Sequence, residues 1–153
     1  MKFTPAQTIA IADLTAETLR YWKRHLSPIA GKRGHAPCYS RAEILALIVV
    51  RRLVRDFKMD VSILGQHSEQ LFRLCLNAQW SQLKKRLLVV TADGSVSAQQ
   101  GLTERDFLEP GVVFPVDVAI RELEQRLNEQ DHPPQLELSL PPVAVGKTIR
   151  GGR

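Results

Sequence analysis

The stretch Thr15–Ser40, TAETLRYWKRHLSPIAGKRGHAPCYS, restricts this chain more than any other. Thr15 is a favoured helix N-cap residue, and Glu17 stands where the positive end of a helix favours a carboxylate. Ala16, Leu19, Trp22 and Leu26 recur near helical spacing, so a helix here is expected to turn them toward a core. Glu17, Arg20, Tyr21 and Arg24 fall at i, i+3, i+4 and i+7 and form the opposite stripe. An inward apolar stripe is ordinary for a surface helix. An outward stripe with two arginines and a tyrosine is less so, because those groups suit phosphates and base edges.

The residues that follow add a second part. Lys32, Arg33 and His35 lie among Gly31, Gly34 and Pro37, which concentrates positive charge on a pliable backbone. Ser40 and Glu43 then form an S-x-x-E capping box in front of an apolar run. Helix, basic loop and capped helix in this order are the parts of a winged helix-turn-helix. In such a unit the helix enters a major groove and the loop, as a wing, touches the flanking backbone.

FTPAQTIAIADLTAETLRYW, with the later CYSRAEILAL, resembles the DNA-binding head of MerR-type transcription regulators. Those heads open with an aromatic-Thr pair, here Phe3-Thr4, and carry a T-L-R-Y-aromatic helix, here Thr18 to Trp22. A wing ending in Tyr-Ser, here Tyr39-Ser40, precedes an acidic helix start. The resemblance covers roughly Phe3 to Leu76. Asp13 occupies the turn where the family usually has Gly, a place Asp tolerates because it can enter left-handed turns. Trp22 replaces the commoner second Tyr, and the family's long coiled-coil helix has no counterpart in the strand-like residues 81–99. The resemblance implies double-stranded DNA as a partner. Glu17, Arg20, Tyr21 and Arg24 would face the groove, with Lys23 beside them and the hydroxyls of Thr15 and Thr18 near its edge. Lys32, Arg33 and His35 would anchor the wing.

Charge is distributed to match. Residues 1–58 hold eleven Lys/Arg against four acids, whereas the rest of the chain holds ten against twelve. Positive charge concentrated where the motif lies is the electrostatic footprint of nucleic-acid binding. Apolar residues make up 44% of the chain and charged ones 24%, the balance of a soluble globular protein. No run approaches ~20 uninterrupted apolar residues, so no membrane span is expected. The first residues lack a basic-then-apolar leader pattern, and with only Cys38 and Cys75 the chain is no disulfide scaffold; both point to the cytoplasm.

Along the rest of the chain, Thr4 and Pro5 suit the start of a first helix over 5–12; its Ile/Ala content would also suit a strand, and the resemblance implies the helix. A helix over 41–57 carries Ile44, Leu47, Ile48, Val50, Val54 and Phe57 on its apolar surface. Arg51, Arg52 and Arg55 project elsewhere, either as a solvated face or as contacts to a nucleic-acid backbone. Asp60 can cap a helix from Val61 to Ala78 whose buried side is Val61, Leu64, Leu71, Phe72 and Cys75. Strands are expected near 86–91 and 95–99 around an Asp93-Gly94 turn, then a helical turn over 103–109. VVFPVDVAIRELEQRLNEQ places Val116, Ile120, Leu123 and Leu127 at helical spacing. From His132 onward, prolines and polar residues without periodicity read as a flexible tail.

Motifs for chemistry are few. Gly146-Lys147-Thr148 echoes the end of a phosphate-binding loop, but Pro141 stands where the first Gly belongs. His35 and Cys38 offer two metal ligands where a structural zinc site needs four. His67 has no second ligand at i+4. H-E-x-x-H and G-x-S-x-G are absent, and no cofactor or enzymatic activity is expected.

The sequence therefore predicts a mainly α protein. A winged helix-turn-helix head (1–80) leads into a small α+β part (81–130) that mediates homodimer formation, and then a flexible tail (131–153). Its expected role is sequence-specific DNA binding in transcription regulation. The rival readings are a protein-interaction module, such as an antitoxin or adaptor clasping a partner through its C-terminal half, and a phage or recombination directionality factor.

Overall fold

A computed structural model describes residues 1–104 and 108–131. The order is β1 (Lys2–Phe3), α1 (Pro5–Ala12), α2 (Ala16–Trp22), α3 (Ser27–Ala30), β2 (Tyr39–Ser40), α4 (Arg41–Asp56), α5 (Val61–Gln66), α6 (Ser68–Asn77), α7 (Trp80–Leu83), β3 (Leu87–Thr91), β4 (Val96–Gln99), β5 (Gly111–Pro115) and α8 (Val116–Asp131). The fold is mostly helical with two small antiparallel sheets, β1-β2 and β4-β3-β5. The expected tail and part of the helical turn expected over 103–109 lie outside the described residues.

The central element is α4. Ser40 and Glu43 close its capping box, the Ser40 amide donating to Glu43 Oε2 at 2.7 Å and the Glu43 amide to Ser40 Oγ at 3.2 Å. Every residue from Ile44 to Arg51 is buried, and so is Leu53. A helix covered on all sides belongs at the middle of a core. Here α1, α6 and α8 pack around it, so head and C-terminal part share one continuous core. Each fully buried Leu or Ile on α4 contributes roughly 1.5–3 kcal/mol of transfer free energy. Phe57, expected on the apolar side, lies past the helix end and is 44% exposed.

Other elements depart from the periodicity for local reasons. The helix beginning at Ala16 stops at Trp22 instead of reaching Leu26, and Ala16 itself is exposed. Ser27-Pro28 opens the separate α3, since proline fits a first turn but interrupts a helix interior. The expected helix over 61–78 is two, α5 and α6, which join at His67. All five of its expected core residues are buried. The Asp93-Gly94 hairpin pairs Leu87 with Gln99 and Val90 with Val96. A third strand, β5, was hidden at the head of the last helical pattern. It pairs with β3 from Leu87↔Pro115 to Thr91↔Gly111, and its proline ends the strand as α8 begins. Leu88, Val90, Val96 and Phe114 are buried on the sheet's inner face. No described helix is long and apolar enough to cross a membrane.

Candidate nucleic-acid interface

The turn between α1 and α2 sets the geometry. Thr4 caps α1 through a box with Gln7, and Asp13 ends it in the left-handed conformation, φ 53°. Thr15 starts α2: its Oγ1 accepts from the Thr18 amide at 3.0 Å and donates to Thr18 Oγ1 at 2.8 Å. The two hydroxyls expected near a groove edge are therefore engaged with each other, at the exposed N-terminus of α2. Leu19 and Trp22 bury the inner side of the helix, with Leu26 just past it. Glu17, Arg20 and Tyr21 are exposed on the other side, and Arg24, expected on the same stripe, is exposed in the turn that follows the helix. Tyr21 is 45% exposed and its ring lies 4.7 Å from that of His25, tilted by 57°. Among the described residues, neither Arg20 nor Arg24 has a side-chain hydrogen bond or ion pair.

The loop from Gly31 to Cys38 is tied at its base. Lys23 Nζ donates to the Lys32 carbonyl at 2.6 Å. Lys32 Nζ donates to the Cys38 carbonyl, forms a 3.0 Å ion pair with Glu43 and sits 5.2 Å over the Tyr39 ring. Phe3↔Tyr39 and Lys2↔Ser40 then stitch the loop's end to the start of the chain. Lys23 and Lys32 are thus engaged in holding the loop. Arg33 and His35 remain exposed at its far part, where Gly34 takes a positive φ of 80°.

Arg51, Arg52 and Arg55 of α4 form a different population. Arg51 is 3% exposed and pairs with Glu122 of α8 and, at 3.2 Å, with Asp13. Arg52 holds Glu122 at 2.9 Å and Asp56 at 3.2 Å. Arg55 donates to Asp13 Oδ2 at 3.1 Å and to the Asp13 carbonyl at 2.9 Å. Arg126 reaches Asp13 at 3.6 Å and Glu122 at 3.8 Å. Partial burial works against the charge on Asp13. The hydrogen bond from Arg55 and the charges of Arg126, Arg51 and Arg55 outweigh it, so the carboxyl lies below the usual aspartate value. Arg51, Arg52 and Arg55 are thus neither a solvated face nor an open contact surface: Arg51 and Arg55 pin the α1–α2 turn to α4, and Arg51 and Arg52 tie α4 to α8.

The residues missing from the sequence reading are Asp13 as an anchor, Glu122 and Arg126. Glu122-Arg126 is a visible i,i+4 pair, but nothing local to it names Arg51, 71 positions away, as a partner. Among the described residues no group of three or more His, Cys, Asp or Glu is placed to hold a metal ion. No family model matches this chain, and no curated protein matches it either.

Proposed function

We propose that this protein binds double-stranded DNA sequence-specifically, as a homodimeric transcription regulator with a winged helix-turn-helix head of MerR-like kind. In this reading α2 enters the major groove, and the 31–38 loop is the wing that meets the neighbouring phosphates. One observation supports the reading: Arg20 and Tyr21 on α2, with Arg24 in the turn just past it, are exposed without ion pairs among the described residues, while Arg51, Arg52 and Arg55 of α4 are engaged by carboxylates. Exposed guanidiniums that no carboxylate of the protein engages are available to phosphates or guanine edges, whose geometry matches their donors. The capped turn at Asp13 and the loop base at Lys23 and Lys32 hold helix and loop in a fixed relation. Two-fold symmetry would double the few base pairs that so short a helix reads.

The test compares the two sides of α2. A duplex site selected from a random pool gives the specific ligand. Arg20→Ala should then weaken specific binding by about 1–3 kcal/mol while the melting temperature holds. Trp22→Ala should instead cost about 3–5 kcal/mol of stability, as loss of a buried aromatic does. Wild-type affinity in Arg20→Ala together with a normal melt in Trp22→Ala would defeat the reading. Light scattering that finds only monomer at micromolar concentration, with one half-site occupied, would defeat the dimer.

A further inference from the structure

A groove of about 440 Å³ lies between α6, α7 and the start of β3, apart from the outward side of α2 and the 31–38 loop. Two polar stripes converge on it. Gln70, Arg73 and Asn77 follow one another at helical spacing on α6, and facing them are Gln79 at the cap of α7, Gln82 on it and Arg86 just before β3. No carboxylate lines the groove among the described residues. None of the six side chains has a hydrogen bond or ion pair within that part of the chain. Arg86 Nε is closed off from solvent with no acceptor. That N–H lacks an acceptor within the protein, and Arg86 is half-buried along the groove, so an anion entering the groove would pair with its guanidinium.

We infer that this groove is a binding site for a phosphate group. The donor count favours phosphate over a carboxylate. One guanidinium fork already satisfies the two oxygens of a carboxylate, whereas two guanidiniums and four amides match the three or four oxygens of a phosphate and its ester body. The phosphate has two sources of identical chemistry, a free phosphorylated small molecule or the backbone of a nucleic acid. The inference does not depend on α2 reading DNA.

The experiment titrates the isotopically labelled full chain with inorganic pyrophosphate at constant ionic strength and follows the Arg86 Nε–Hε signal. A saturable shift at that signal is expected, with sodium chloride leaving it in place. Arg73→Gln should raise the midpoint about tenfold, the effect of losing one charge-assisted contact. A short duplex forms the second arm: if it moves the same signal and pyrophosphate reverses the change, the backbone is the source. If only pyrophosphate acts, the ligand is a free phosphorylated molecule. Absence of a saturable shift in the folded wild-type chain, the same shift with chloride, or an unchanged midpoint in Arg73→Gln would overturn the site.

Discussion

Tyr39 combines full burial with an unsatisfied polar atom: it is 0% exposed and its hydroxyl meets no partner among the described residues. Burial, with the charges of Cys38 and Glu43 adding to it, pushes the phenol up to about 12. An unpaired buried hydroxyl costs about 1–3 kcal/mol, while the ring itself packs in the core and lies beneath Lys32. Tyr39→Phe should therefore raise stability, by about 1 kcal/mol in urea unfolding. A loss of stability instead would mean that the hydroxyl is bonded. The position of Tyr39 at the end of the loop was legible because Ser40 opens a capping box and the resemblance implies a wing that ends in Tyr-Ser. The fate of its hydroxyl was not, since whether a side chain finds a partner is decided by neighbours distant in sequence. Arg51 teaches the same thing: periodicity placed it off the apolar side of α4, yet it is buried because Asp13 and Glu122 converge on it.

Elements with strong local signals were read well. The caps at Thr4 and Thr15, the capping box at Ser40 and the Asp93-Gly94 turn are local chemistry, and each opens or joins an element where expected. Misreadings occurred where one pattern ran into another, as when β5 led directly into the helical pattern of α8. Similarly, a single apolar stripe spanned the break at His67, because α5 and α6 bury the same side. The hairpin turn also does more than reverse the chain. Gly94 adopts φ +87°, and a Cβ there would meet the Ile63 carbonyl oxygen of α5 at 2.4 Å. Asp93 accepts from the Thr91 hydroxyl and from the Ser95 amide at 3.0 Å, so the turn is clamped on both sides. Gly94→Ala should cost at least the ~1–3 kcal/mol of a strained backbone, with the close contact added to it. Denaturant melts decide this; a variant as stable as the wild type would mean that α5 and the hairpin do not approach as described.

For the whole molecule the charge count overstates what DNA would feel. Eleven cations fall within residues 1–58, but Arg51, Arg52 and Arg55 are neutralised by Asp13, Asp56 and Glu122, and Lys32 by Glu43. Lys23 is occupied with the Lys32 carbonyl. On the side formed by α2 and the loop, Arg20, Arg24 and Arg33 are exposed without ion pairs. Each phosphate contact contributes about −0.9 to the slope of log K against log salt. With Arg20 on a base edge, Arg24 and Arg33 give a slope near −2, and about −4 for two protomers on one palindromic duplex; with Arg20 on a phosphate as well, the values are about −3 and about −5. If every cation of the head took part, the slope would approach about −10 for a single protomer. Titrating a duplex between low and physiological salt separates these cases. Arg33→Ala should then make the dimer's slope shallower by about 2, one phosphate per protomer. Arg55→Ala should leave it unchanged, since that charge already belongs to Asp13. A slope near −10, or one that flattens on replacing Arg55, would mean that the arginine network opens on DNA and that Asp13 releases its partners when the protein binds.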